Sequence, residues 1–254
     1  MPSTELTGFH VLVTRPKAQA QPLATALQAC GASAHLFPLI DIQPDIDAKA
    51  KQKLAQLADI DVLIFISANA IEYAAPYLGD VPKSCKIAVI GQASNAKLAE
   101  LGYNADLVPH RFDSEGLLVM PDLQQLSGQR ILIVRGHGGR EKLAKTLQAR
   151  GAHVDYAQVY RRQAPREAWP DTLRRVHVIS ITSSEALVHL HHFAQQPQQD
   201  WILAKQLLVI HERVAVRATE LGFKLKSLIA DEPSDAGMVR TLCQWAANRE
   251  PTIS

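Results

Sequence analysis

The chain has 254 residues, of which 47% are hydrophobic and 20% charged, a balance typical of a folded globular protein and not of a disordered one. The formal net charge of +2 is too small for a nucleic-acid-binding surface, and no apolar stretch approaches the roughly 18 to 20 residues of a membrane span. Three scattered cysteines argue against a disulfide framework and a thiolate metal site. Because the N-terminus lacks the pattern of a secretory signal, we expect a cytoplasmic protein.

Short β-rich runs alternate with helical segments along the whole chain. Helical patterns include 21–30 and 93–101, each followed by glycine, the usual residue after a helix C-terminus. Residues 11–39 align without a gap with residues 131–159, at an offset of 120, so the chain contains two related halves. The predicted strands are 10–14, 34–37, 61–66, 86–90 and 105–108 in the first half, and 130–134, 153–159, 176–182, 206–210 and 224–229 in the second.

This alternation predicts an α/β fold. Parallel strands joined by helical crossovers form doubly wound sheets, and five strands in each half favour two such domains that resemble flavodoxin. A single eight-stranded barrel is the alternative, which fits ten strands in two matching sets poorly. Ligands of open parallel sheets bind beyond the carboxyl ends of the strands, so the turns that follow the strands form the candidate site.

These turns are rich in residues that bind anions. Serine, threonine and asparagine suit helix N-caps, and the free N–H groups at a helix start attract carboxylates and phosphates. Arginines in the same turns would add charge-assisted hydrogen bonds. If two such sheet edges face each other, the ligand between them is large and carries several negative charges. The arginines are Arg15, Arg135, Arg140 and Arg213.

Eight motifs carry a resemblance to a known family. They are VLVTRP from Val11, FPLIDIQP from Phe37, FISANAIE from Phe65, AVIGQASNAKLAELG from Ala88, DSEGL from Asp113, ILIVRGHGGRE from Ile131, GAHVDYAQVYRR from Gly151 and ITSSEAL from Ile181. In this order they are similar to segments of the uroporphyrinogen-III synthase family, over essentially the whole chain.

The resemblance implies a domain organisation that differs from two consecutive halves. The family has two flavodoxin-like domains joined by a two-stranded antiparallel ladder that serves as a hinge. By this likeness one domain is discontinuous and comprises residues 1–38 and 165–254, and the other comprises residues 43–158. Residues 39–43 and 159–164 would form the ladder strands.

The resemblance also implies a reaction. The family closes hydroxymethylbilane, a linear tetrapyrrole with eight carboxylates, to uroporphyrinogen III in haem biosynthesis, with loss of water and inversion of ring D through a spiro intermediate. We therefore expect a monomeric lyase that holds its substrate in one geometry and needs neither metal nor cofactor, nor nucleic acid or membrane. Tyr160 matches a tyrosine that assists departure of the hydroxyl, since a phenol can donate its proton at neutral pH. The residues expected to bind substrate are Thr14, Arg15, Ser67, Asn69, Ser94, Ser114, Arg135, Gly136, Ser183, Ser184 and Arg213.

One turn departs from the family pattern. Many relatives carry a Gly-x-Thr type of turn where this chain has His211-Glu212-Arg213-Val214. Without the glycine, backbone N–H groups approach a ligand less closely. This turn therefore either binds substrate through the Arg213 side chain or does not bind it.

The same residues admit other interpretations. Paired α/β domains also occur in sensor modules that bind a small anionic ligand without catalysis. Ser67 and Ser183 could be helix caps alone, and Tyr160 could be a packing residue of the ladder. Arg15 and Arg135 could be exposed turn residues.

Two short motifs point weakly to other chemistry. The histidines of HLHHF from His189 suggest a metal site but lack an adjacent carboxylate or thiolate ligand. The run Gly136-His137-Gly138-Gly139 resembles a phosphate-binding loop but lacks the Gly-Lys-Ser/Thr ending. We expect solvent-facing histidines and no nucleotide site.

Overall fold

The computed structural model of the protein describes residues 5–139, 141–247 and 249. The contacts divide the chain into two compact units: unit 1 is Met1–Asp41 with Gln163–Ser254, and unit 2 is Ile42–Arg162. The strands are β1 (His10–Val13), β2 (Ser33–Leu36), β3 (Asp41–Pro44), β4 (Val62–Phe65), β5 (Lys86–Val89), β6 (Arg130–Gly136), β7 (His153–Gln163), β8 (Val178–Ile181), β9 (Gln206–Val209) and β10 (Leu228–Ile229). The α-helices are α1 (Lys17–Ala29), α2 (Ala48–Ala55), α3 (Ala68–Ala74), α4 (Gln92–Glu100), α5 (Ser114–Leu118), α6 (Lys142–Ala149), α7 (Ser184–Ala194), α8 (Glu212–Glu220) and α9 (Asp235–Ala246).

Unit 1 contains a parallel sheet with the order β10-β9-β8-β1-β2. Counted along the unit, this is the order 2-1-3-4-5. Val11 and Val13 of β1 pack in one core with Leu23 and Leu27 of α1 and with Leu242 of α9. Because parallel strands end at one edge, the turns after these strands lie along the same edge of the sheet.

Unit 2 contains the sheet β3-β7-β6-β4-β5, in which β4, β5, β6 and β7 pair in parallel. The residues of β4 alternate between two cores, with Leu63 and Phe65 in one and Val62 and Ile64 in the other. The sheet is therefore buried on both faces, as in a doubly wound fold.

Strand β3 pairs with the end of β7. The Asp45 N–H donates to the carbonyl of Val159 at 3.1 Å, and Gln163 Nε2 donates to Asp41 Oδ2 at 3.3 Å. The residue numbers of these partners run in opposite directions, as in an antiparallel pair.

A register shift in β7 changes the face on which its side chains lie. Arg135 pairs with Gln158 but Gly136 pairs with Tyr160, so Val159 is the extra residue. Consequently Val159 and Tyr160 both pack in the core that contains Phe65, whereas Tyr156 packs against the opposite core. Strict alternation would have placed Tyr156 and Tyr160 on the same face, and the shift turns Tyr160 to the other one.

Several element boundaries differ from those predicted. Two separate five-stranded sheets are present, so the barrel alternative is wrong. Helix α1 begins at Lys17, earlier than predicted, and has Pro22 in its interior. The strand predicted at 105–108 is only an isolated parallel bridge between Leu107 and Ala88. The strand predicted at 224–229 keeps only Leu228–Ile229. Among the described residues, no helix is long and apolar enough to cross a membrane.

Candidate active site

Tyr160 and Ser67 meet at the carboxyl edge of the unit 2 sheet. Ser67 follows β4 and caps α3, accepting a hydrogen bond from the Ala70 N–H at 3.1 Å. Its Oγ lies 3.2 Å from the hydroxyl of Tyr160, which β7 supplies. Only 2% of Tyr160 is exposed, so its phenol is held in a sheltered position.

The ring of Tyr160 lies directly against the backbone of Gly136. A Cβ added to Gly136 would lie 2.6 Å from Cζ of the ring, well inside contact distance. The adjacent His137 N–H donates to the carbonyl of Tyr160 at 2.8 Å. Gly136 is therefore needed beside Tyr160 whether or not it also contacts a ligand.

Arg135 is a buried cation at the end of β6, and 5% of its side chain is exposed. Its Nη1 lies 3.1 Å from Oε1 of Glu141, and its Nε donates to the carbonyl of Gly136 at 3.3 Å. The guanidinium carbon lies 4.8 Å from the centre of the Tyr156 ring. Arg135 is therefore a buried residue of β6 and not an exposed turn residue.

Glu141 connects Arg135 to Tyr156. The Tyr156 hydroxyl donates to Glu141 Oε2 at 2.7 Å, so each carboxylate oxygen has its own donor. The hydrogen bond from Tyr156, followed by that from Arg135, lowers the pKa of Glu141. Burial, and then the bond to Glu141, raise the pKa of Tyr156, so the phenol keeps its proton and the carboxylate its charge.

A pocket of about 280 Å³ lies beside this network, within unit 2. Its apolar walls come from residues that follow β4 and β5, from the middle of β6 and from α6. The lining residues are Ile66, Ile90, Asp113, Ser114, Glu115, Ile133, Arg135, Gly139, Leu143, Ala144 and Tyr156. Ser114 and Arg135, both predicted to bind substrate, thus line one pocket.

The other predicted residues of unit 2 lie at helix starts. Ser94 is buried in the first turn of α4, whose N-cap is Gly91. Ser114 is the first residue of α5, and the cap is Asp113, which accepts from the Gly116 N–H at 2.6 Å. Asn69 is half-buried in the first turn of α3.

The predicted residues of unit 1 follow β1, β8 and β9. Thr14 is buried, and its hydroxyl donates to the carbonyl of Ser180 at 2.5 Å, so this side chain links β1 to β8. Arg15 forms a 2.5 Å ion pair with Asp235 and its side chain is 14% exposed.

Ser183, Ser184 and Arg213 also stand at helix starts in unit 1. Ser183 caps α7 through the Ala186 N–H at 3.1 Å, and Ser184 is the exposed next residue. Arg213 is exposed in the first turn of α8. Arg140 lies outside the described residues.

The histidine-rich segment has a local role. His189 Nδ1 lies 2.6 Å from the carbonyl oxygen of Leu39, so this imidazole bonds to the backbone. Among the described residues, no group of three or more histidine, cysteine, aspartate or glutamate side chains is arranged to hold a metal ion.

Comparison with known proteins identifies the family. Residues 21–240 match the family model described as uroporphyrinogen-III synthase HemD. Uroporphyrinogen-III synthase of Escherichia coli (strain K12) is 34% identical over 92% of this chain and 100% of its own length. The enzyme of Synechococcus elongatus is 32% identical over 97% of this chain and 98% of its own. The chain belongs to the uroporphyrinogen-III synthase family. By family it is a cyclising hydro-lyase of tetrapyrrole biosynthesis.

Solved structures of uroporphyrinogen III synthases share the fold. The Helicobacter pylori structure is 14% identical, with a TM-score of 0.62, over 93% of this chain and 99% of that one. A mutant Thermus thermophilus structure is 18% identical, with a TM-score of 0.61, over 95% of this chain and 100% of that one. At these identities the likeness supports the α/β fold with two mainly parallel sheets.

Tyr156 and Glu141, the partners of Arg135, are not among the residues predicted from the sequence. Glu141 follows two glycines with positive φ, Gly138 and Gly139, and the path of that loop decides where its carboxylate lies. The sequence could have indicated a role for Tyr156, because a tyrosine in a strand next to β6 has a hydroxyl that needs a hydrogen-bond partner.

Proposed function

We propose that this chain closes hydroxymethylbilane to uroporphyrinogen III on the turns at the carboxyl ends of its strands, with Tyr160 as the proton donor. The observation that supports this proposal most directly is the position of the Tyr160 hydroxyl, which lies 3.2 Å from Ser67 Oγ at the start of α3. A phenol donor held beside a turn of helix-capping residues is suited to a hydroxyl leaving from an anionic substrate.

The reaction has two parts. The pyrrole next to the hydroxymethyl group expels the hydroxyl, which leaves as water after taking a proton, and an azafulvene results. The substituted carbon of ring D then attacks, and the spiro intermediate rearranges so that ring D is inverted on closure. Because the uncatalysed closure gives the uninverted isomer I, the main contribution of the protein is to hold the substrate in one geometry.

The burial of Tyr160 limits how its proton is delivered. Since 2% of the residue is exposed, a substrate hydroxyl reaches the phenol at the position that Ser67 Oγ now occupies. Ser67 is half-buried and belongs to the turn that follows β4. We therefore assign Ser67 to the same reaction step as Tyr160, with its hydroxyl turning towards the substrate.

The substrate carboxylates are assigned to the two sheet edges. In unit 2 we propose contacts with Ser67, Asn69, Ser94, Ser114, Arg135 and Gly136, and in unit 1 with Thr14, Arg15, Ser183, Ser184 and Arg213. Thr14 and Gly136 would act through their backbones, because the Thr14 hydroxyl is bonded to Ser180 and Gly136 has no side chain. The proposal needs no metal or cofactor and involves neither nucleic acid nor membrane.

The finer architecture is part of the proposal. The 2-1-3-4-5 order of unit 1 supports a flavodoxin-like domain. We assign residues 1–38 and 165–254 to this domain, 43–158 to a second one, and 39–43 with 159–164 to a two-stranded hinge. We also propose that the enzyme is a monomer and acts in the cytoplasm.

One assay tests the function against the sensor alternative. The purified protein is incubated with freshly prepared hydroxymethylbilane, and the products are oxidised and separated by chromatography. We expect isomer III to predominate over isomer I, which forms in a blank without protein. Isomer I alone, at the rate of the blank, would leave a ligand-binding module without catalysis.

A further inference from the structure

Arg135 and Tyr156 form a two-donor arrangement that fits any carboxylate. One donor is an Nη1–H of the guanidinium and the other is the phenol O–H, and they reach the two oxygens of Glu141 at 3.1 and 2.7 Å. Bonds of this type, with a charged donor or acceptor, are the strongest hydrogen bonds in proteins.

The two donors are fixed in place. Arg135 is packed against the Tyr156 ring, and it lies beneath Gly139, where an added Cβ would be 2.7 Å from Nη2. Tyr156 belongs to β7 and pairs with Ile133 of β6. An incoming ligand would therefore find the donors already oriented, which reduces the entropy lost on binding.

The acceptor is the exposed partner. The side chain of Glu141 is 52% exposed, and it follows Gly138 and Gly139, which have φ angles of 72° and 95°. It fulfils one need of the free protein, because a buried guanidinium that lacks a charged partner destabilises the fold. Another carboxylate at the same place would satisfy that need equally.

The adjacent pocket has the character expected for a substrate arm. Ile66, Ile90 and Ile133 give the pocket apolar walls, and Arg135 lines the same pocket. Such walls suit the methylene groups of an acetate or propionate side chain, with the carboxylate directed at the donors. The acids at the pocket are already paired, Asp113 with Arg111 at 2.6 Å and Glu115 with Lys142 at 2.9 Å.

We propose that Arg135 and Tyr156 form a receptor for one acetate or propionate arm of the tetrapyrrole, and that Glu141 fills this receptor in the free enzyme and yields it on binding. Glu141 is then an internal competitor of the substrate. The inference rests on the proposed function for the identity of the ligand, but the receptor itself can be tested with a simple carboxylate.

The first test removes the competitor. We expect Glu141→Ala to lower the KM for hydroxymethylbilane about tenfold, the effect of one charge-assisted hydrogen bond, with kcat largely retained. Adding Tyr156→Phe to Glu141→Ala should reverse most of this gain, because one donor is lost. Glu100→Gln removes a negative charge at an exposed Lys97 pair on α4, and serves as the control for general electrostatic attraction.

The second test uses propionate and needs no catalysis. In 15N-labelled protein we expect the Arg135 Nε–H resonance to shift in a saturable manner with propionate in Glu141→Ala, at a concentration about tenfold lower than in the wild type. A KM that rises or stays unchanged, or no shift of this resonance, would overturn the receptor. Failure of the proposed function would instead appear as isomer I alone from the wild type, whatever the NMR result.

Discussion

At the scale of single residues, the packing of the Tyr160 ring depends on the absence of a side chain at Gly136. A methyl group on Gly136 would overlap the phenol ring, so Gly136→Ala has to displace either the ring or the β6 backbone. We expect a loss of about 1 to 3 kcal/mol in the free energy of unfolding, as for overpacked sites, together with a large fall in kcat. Urea unfolding and the hydroxymethylbilane assay measure the two effects.

Two further variants separate packing from chemistry. Tyr160→Phe keeps the ring and removes only the hydroxyl, so we expect normal packing and a fall in kcat of about 10²-fold, the lower end for a general acid. Gly91→Ala adds a methyl whose nearest neighbour is 3.9 Å away, so it shows the effect of an added methyl at a helix start without a clash. An unchanged kcat in Tyr160→Phe would reduce Tyr160 to a packing residue.

The residues of the site were predictable to different degrees. Ser67 and Ser183 could be placed as helix caps, because serine before a helix bonds to a nearby N–H whatever the rest of the fold. Glu141 could not be placed, because its position depends on a glycine-rich loop. The face of Tyr160 depends on the register shift after Arg135, which periodicity does not reveal.

At the scale of elements, the start of α3 combines capping with proposed binding. Ser67→Ala removes the cap and should cost about 1 kcal/mol of stability. Ser67→Asp keeps an N-cap acceptor and therefore most of the stability, but it places a negative charge where a substrate carboxylate is proposed. We expect the KM of Ser67→Asp to rise more than that of Ser67→Ala, as measured by initial rates.

The cap of α2 supplies the matched control. Asp47 accepts from the Ala50 N–H at 2.6 Å, but α2 carries none of the proposed binding residues. Asp47→Ala should lower stability by an amount similar to Ser67→Ala and leave the KM unchanged. If Ser67→Asp also leaves both the KM and kcat unchanged, Ser67 is a cap alone.

The strands were predictable where burial alone determined them. The β4 run VLIF is buried at every position, which is typical of an interior strand of a parallel sheet. The predictions failed at sheet edges, where residues 105–108 make one bridge and β10 keeps two residues. The length of an edge strand depends on pairing with a single neighbour, and the pattern of apolar side chains does not predict that length.

At the scale of the whole molecule, the feature hardest to predict from the sequence was which strands lie next to each other in a sheet. Strand β1 pairs with β8, although all of unit 2 lies between these two strands in sequence order. Hydrophobic periodicity indicates which face of a strand is buried, but not which strand lies next to it. The motif resemblance implied only that residues 1–38 and 165–254 belong to one domain.

Unit 1 contains a histidine cluster at the amino ends of its strands. His10 Nδ1 lies 2.9 Å from His35 Nε2, and the His10 N–H donates to His177 Nδ1 at 2.9 Å. Burial is the main cause that lowers the pKa of all three imidazoles, and Arg175, Lys205 and the neighbouring histidines add to it. The folded unit therefore keeps these side chains neutral to lower pH than the unfolded chain does.

The sign of the pH effect follows from this difference. Below the ordinary histidine value of 6.5 the unfolded chain takes up protons that the folded unit does not, so stability falls with pH until the lowered folded values are reached. We expect the β1, β2 and β8 amides to lose protection from hydrogen exchange, after correction for intrinsic rates, between about pH 7.5 and 5.5, while β4 and β6 of unit 2 change less. His35→Asn should reduce the loss, whereas His110→Asn, at an exposed position of unit 2, should not. Equal losses in the two units, or no effect of His35→Asn, would show that other groups determine the acid sensitivity of the protein.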